Sequence, residues 1–72
     1  MVALPVLVVA KLALYEAMRT AAVTHTALGR RLGISEGAVR RLVDLDHRSH
    51  IGHVETALAA LGRHLVVEVK AA

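Results

Sequence analysis

The segment LGRRLGISEGAVRRL, residues 28–42, restricts the fold of this chain more than any other stretch. Two helix-forming runs flank a Gly-Ile-Ser, which is the pattern of a helix-turn-helix. That geometry makes demands which can be checked against the residues. Its tight turn needs a residue tolerant of positive φ, and Gly33 supplies it. Its first helix needs a tiny residue where the second crosses it, and Gly29 stands there. Its interlocking core needs apolar side chains, and Leu28, Leu32, Ile34, Val39 and Leu42 fill those positions. Each match alone is weak; together, in register, they are specific. The competing reading is an ordinary helical hairpin, since this packing also occurs away from DNA.

The flanking signals are mainly helical. Pro5 suits a first helical turn, and good helix formers continue to about Ala22. At 100° per residue, Val6, Leu7, Ala10, Ala13, Leu14, Ala17, Met18 and Ala21 form one wide inward face. Lys11, Glu16 and Arg19 are expected on the opposite, solvated stripe. Val8, Leu12 and Tyr15 lie among those polar residues, so this helix has a second apolar face that a small monomer leaves uncovered. Thr24 is expected to cap a helix over His25–Leu32, with Ala27, Leu28 and Leu32 inward and Gly33 ending it. Ser35 is expected to cap a third helix from Glu36 to about Val43, with Glu36 favoured by the helix dipole. Neither start carries the Glu or Gln three residues on that completes a capping box. The DLDHR stretch reads as loop. Ser49 is then expected to cap a fourth helix with Ile51, Val54, Leu58 and Leu61 as its apolar stripe, stopped by Gly62.

The tail changes period. In RHLVVEVK, Leu65, Val67 and Val69 alternate with His64, Val66, Glu68 and Lys70, a strand pattern. A strand needs a partner for its N–H and C=O groups. Within the chain only the VAL at residues 2–4 is available, so pairing with a second copy is the simpler solution. The second face of the first helix (Val8, Leu12, Tyr15) and the strand (Leu65, Val67, Val69) thus both predict a homodimer. The expected architecture is mainly α: a helix-turn-helix bundle of four to five helices with a short C-terminal β-strand paired across the dimer.

Size and composition bound the rest. A chain of 72 residues is one domain, 1–72, near the lower limit for a single core. It has no Cys, Phe or Trp and one Tyr, so the core is aliphatic and no disulfide supports it. Its 56% hydrophobic content and mean hydropathy of +0.54 exceed what so short a chain can bury alone, which again implies a partner. The longest uncharged run, MVALPVLVVA, is about half the length of a membrane span, which takes roughly 20 residues. It also lacks the features of a secretory signal. The expected location is cytoplasmic, with no membrane partner.

The net charge is only +3, but its distribution is informative. Six Arg lie between Arg19 and Arg48, against Glu36, Asp44 and Asp46. Arginine favours bidentate contacts to phosphate or guanine. With Val39 and Leu42 inward, Glu36, Gly37, Arg40, Arg41 and Asp44 face the major groove of double-stranded DNA. Thr26 and Ser35, near helix N-termini, suit phosphate. Arg40 is the candidate base reader, as a bidentate donor to guanine. Gly37 lets the helix approach closely. Glu36 either accepts from a cytosine amino group or merely favours the helix start. Arg30, on the outside of its helix, reads as a solvated charge.

Taken together, LALYEAMR, LGRRLGIS-EGAVRRLVDLDHRS and VETALAALGRHLVVEV make the chain, from about Leu4 to Val69, resemble the C-terminal DNA-binding domain of HicB-family antitoxins. The DLDHRS loop and the ALAALG-x-x-LVVEV ending carry more of the likeness than the helix-turn-helix. The resemblance implies a lambda-repressor/Cro-like fold and membership of a type II toxin–antitoxin system. It also implies a dimer that binds operator DNA and represses transcription of its own operon. In that family a separate N-terminal domain masks the HicA toxin, a small ribonuclease. The resemblance extends over the DNA-binding part alone, so the expectation is a chain without the toxin-masking domain that binds DNA and does not neutralise the toxin. By the same likeness Arg40 and Arg41 match recognition-helix positions, and Arg48 and Ser49 match a loop that meets backbone phosphate. Gly29 stands where Ala is commoner, a change expected to loosen the second helix by up to ~1 kcal/mol. His50 stands where the family often has a basic residue, making one phosphate contact pH-dependent.

Other chemistries are poorly supplied. His47, His50 and His53 are spaced by three, yet the outer two lie ~120° off one helix face, with no Cys or carboxylate to complete a metal shell. They read as a capped loop and helix start, and no cofactor is expected. There is no nucleophile–base–orienter set and no phosphate-binding glycine loop, so the chain does not read as an enzyme. Two alternatives remain: a free-standing phage-type repressor, and a protein-interaction or dimerisation module that does not bind DNA.

Overall fold

Pro5 precedes the first helix with φ −56° and ψ 144°, and its carbonyl accepts from the Val9 N–H at 3.1 Å. In the computed structural model, which describes residues 5–69 and 71, four helices follow. These are α1 (Val6–Ala21), α2 (His25–Leu32), α3 (Glu36–Val43) and α4 (Ile51–Ala60). No strand occurs among the described residues. The VAL segment at residues 2–4 lies outside them.

The helix ends follow local chemistry. The Thr24 and Ser35 hydroxyls accept from the Ala27 and Ala38 N–H groups at 3.0 and 3.1 Å, satisfying donors that α2 and α3 leave open. Gly33 closes α2 at φ 70°, its N–H reaching Arg30 O while the Ile34 N–H reaches Gly29 O. α1 ends less comfortably. Ala22 adopts the left-handed conformation, φ 53° and ψ 40°, where an L side chain is strained. The expected cap of α4 is corrected: His50 Nδ1 accepts from the Gly52 N–H at 3.1 Å, and Ser49 is turned elsewhere. The Ser49 hydroxyl is engaged with Lys11 and Arg41 O, which leaves the neighbouring imidazole to take the N–H.

α1 packs mainly on α4 and α3, and α2 on α3 and α4, around one aliphatic core. Leu14, Leu28, Val39, Val54 and Leu58 are buried at its centre, with Ala10, Ala17 and Ala57 keeping α1 and α4 close. The inward face of α1 is narrower than expected. Ala10, Leu14, Ala17 and Met18 are buried and Leu7 partly so, whereas Val6, Ala13 and Ala21 are exposed. Ile34, expected in the core, is 40% exposed, because Gly33 turns the chain before α3 and leaves Leu28, Val39 and Leu42 to fill the interior.

A larger correction concerns Lys11. Expected in solvent, it is 1% exposed. Helix spacing accounts for this: four residues after Leu7, three before Leu14 and seven before Met18, Lys11 lies within about 60° of all three. It therefore points inward with them.

Beyond α4, Gly62 turns at φ 72° and the Arg63 N–H returns to Leu58 O at 2.9 Å. The expected strand is not formed by the single chain: residues 63–69 are neither helix nor strand. Leu65 folds back onto the chain's own core, while Val66 and Val69 are 81% and 96% exposed.

Candidate nucleic-acid interface

α3 is short, and its two buried side chains determine what it presents. Val39 and Leu42 are buried, so Glu36, Gly37, Arg40 and Arg41 are all exposed on the opposite side. The close fit of α2 against the turn makes this possible. A Cβ on Gly29 would lie 2.7 Å from the Ile34 carbonyl oxygen, a backbone atom. An alanine here would force the backbone of the turn to shift, so the crossing as it stands favours glycine.

The charged surface is ordered. Glu36 Oε1 accepts from Arg40 Nη2 at 2.7 Å and from Arg40 Nε at 3.1 Å. The two residues stand one helical turn apart, where side chains on a helix meet. Arg40 holds the Glu36 carboxyl below the usual carboxylate range, first by this hydrogen bond and then by its charge. Desolvation opposes the shift, and the Thr26 hydroxyl and His25 on α2 add lesser contributions in the same direction as Arg40. Thr26, Glu36 and Arg40 thus belong to one surface. Glu36 stands in the first turn of α3, as one of its two expected roles requires, and its carboxylate also pairs with Arg40.

Arg41 belongs to a second grouping. With Arg48, His47, Ser49, His50 and His53 it lines an open groove of about 530 Å³ between α3, the 44–49 loop and α4, whose wall also includes Leu32 at the end of α2 and Ile34 in the turn. Arg48 is exposed on this loop. The loop is a turn of its own: Asp44 Oδ1 accepts from the Asp46 N–H at 2.9 Å and Asp44 O from the His47 N–H at 3.1 Å, as aspartate commonly does in turns. Ser49 is half-buried, its hydroxyl donating to Arg41 O at 3.1 Å and accepting from Lys11 at 2.8 Å. His50 Nδ1 is occupied by its capping bond.

Lys11 is the residue that sequence reasoning missed. Its three N–H bonds are shared among four oxygens: Arg41 O at 2.9 Å, Asp44 O at 2.7 Å, His47 O at 2.7 Å and Ser49 Oγ at 2.8 Å. Burial pushes the ammonium below its ordinary value of 10.5, and the Asp44 carboxylate opposes that shift. The surface predicted for dimerisation is also accessible: Leu12 and Tyr15 are 43% and 52% exposed on α1, with Val8 half-buried beside them.

Among the described residues no helix is long and apolar enough to cross a membrane. No family model and no solved structure matches the chain. Over 69 residues, 96% of its length, it is 44% identical to the antitoxin HicB of Pseudomonas fluorescens (strain Pf0-1). The matched part is 47% of that protein, so the chain spans about half the length of the curated relative it matches.

Proposed function

We propose that this chain is the DNA-binding part of a HicB-type antitoxin, working as a dimeric repressor of its own operon through a lambda-repressor-like helix-turn-helix formed by α2 and α3. The observation that carries this reading is the exposed row Glu36, Gly37, Arg40 and Arg41 above buried Val39 and Leu42, on a helix fixed by the Gly29–Ile34 contact. The similarity to an antitoxin supports the same assignment.

In this reading α3 enters the major groove. Gly37 leaves room for close approach, and Arg40, steadied by Glu36, donates two N–H groups to a guanine edge. Arg41 lies beside it. The exposed hydroxyl of Thr26, the N-terminus of α3 at Ser35 and the guanidinium of Arg48 meet phosphates on either side. Ser49 serves by holding the loop that carries Arg48, since its hydroxyl is already committed. Two copies joined through Val8, Leu12 and Tyr15, and through the exposed tail residues Val67 and Val69, set the recognition helices about 34 Å apart.

Fluorescence anisotropy with a duplex from upstream of the gene, and with base-substituted versions of it, tests the roles. Arg40→Ala is expected to cost about 1–3 kcal/mol and to relax selectivity at one base position. Arg48→Ala is expected to weaken all duplexes alike. A position-specific loss from Arg48→Ala, or none from Arg40→Ala, would refute the assignment.

A further inference from the structure

We propose that Lys11 is a positioning residue for DNA recognition: from inside the fold it fixes α3 and the Arg48 loop in one relative placement, so that base and phosphate contacts are made together. The inference rests on the DNA-binding reading above and deepens it, since Lys11 itself is buried and touches no DNA.

The ammonium reaches two segments of the chain at once. Its four oxygen partners are Arg41 O in the last turn of α3, Asp44 O just past its end, and His47 O and Ser49 Oγ in the loop. The last four carbonyls of a helix lack partners within it, and Lys11 supplies both a donor and a positive charge to the negative end of α3. The loop's other bonds are short-range: Asp44 Oδ1 and O accept from the Asp46 and His47 N–H groups, and the Ser49 hydroxyl donates to Arg41 O, so Lys11 is the tie that reaches it from α1. Leu45, Asp46, His47 and Arg48 are exposed, and the half-buried Ser49 belongs to the same knot. Lys11 therefore determines where Arg48 stands relative to Arg40 and Arg41. A methionine would fill similar space without the cost of burying a charge. What the ammonium adds is direction: it gathers carbonyls from two segments onto one point.

Selective and non-selective binding should then separate. Non-selective binding needs the arginines present; selective binding needs them in register. The test compares wild type and Lys11→Met, each shown folded by circular dichroism, on the upstream duplex and on a scrambled duplex of equal composition. The expected result is a preference for the upstream duplex that falls by about tenfold or more, with affinity for the scrambled duplex held within about twofold. A folded variant as selective as wild type would overturn the proposal and leave the DNA reading intact. Equal losses on both duplexes would also overturn it, because they would show a general effect on integrity or charge. If wild type itself has no preference, the DNA reading fails and takes the proposal with it. Should Lys11→Met not fold, even with sucrose as stabiliser, Ser49→Ala opens the same knot more gently. Lost preference there supports the proposal, and retained preference, with the Ser49→Thr control normal, overturns it.

Discussion

Removing the Lys11 ammonium leaves the carbonyls of Arg41, Asp44 and His47 without their shared donor. Lys11→Met is accordingly expected to lower stability by about 1–3 kcal/mol, read from urea unfolding. The pH dependence has a definite sign. Because burial lowers the folded pKa, the unfolded chain keeps a proton that the folded chain has released, in the window between the folded value and the ordinary 10.5. Wild-type stability relative to Lys11→Met should therefore rise as pH increases through that window. Gly29→Ala is expected to cost about 1–3 kcal/mol, as overpacking does, since its Cβ would meet the Ile34 carbonyl at 2.7 Å. The need for a tiny residue at 29 was legible in the sequence, although the severity of the contact was not. Lys11 was legible too, through its spacing from Leu7, Leu14 and Met18. Its charge argued for solvent and its position argued for the core; position won because four oxygens were waiting there.

At the scale of elements, the helices followed from caps and breakers. Thr24, Gly33 and Ser35 act as their residue types predict. Ser35→Ala should lose about 1 kcal/mol through the unsatisfied Ala38 N–H. Ala22→Gly should gain about 0.5–1 kcal/mol by relieving the left-handed backbone, visible as a raised Tm. On α3, the Glu36 carboxyl should titrate below the usual range by NMR and return upward in Arg40→Ala. Its pairing with Arg40 is present above the ordinary carboxylate range and is lost as pH falls through the lowered folded value. What the sequence did not settle were choices among neighbours. Ser49 is the residue type that usually caps, but its hydroxyl bonds Lys11 and Arg41 O, and His50 Nδ1 takes the Gly52 N–H instead. Likewise the alternating tail predicts a strand, but a strand exists only when a second edge is supplied, so a single chain leaves residues 63–69 irregular.

For the whole molecule, the exposed apolar residues of α1 and the tail are the remaining expense, and a second copy is our account of them. A proline at Val67 should remove a ladder bond and yield monomers by light scattering. A variant that stays dimeric would move the interface to Leu12 and Tyr15. The placement of Glu36, Gly37, Arg40 and Arg41 on one surface needed only the inward positions of Val39 and Leu42, which the pattern supplied. The aiming of Arg40 by Glu36 and the anchoring of the Arg48 loop depend on three-dimensional contacts that no spacing encodes. The central claim is that this surface binds and reads DNA. Its most direct test is anisotropy on upstream and scrambled duplexes across a salt series. The account predicts preference for the upstream duplex and an affinity falling by roughly 0.9 log units per log of salt for each phosphate neutralised. No binding to either duplex at low salt would contradict it and turn the assignment to a protein-interaction module.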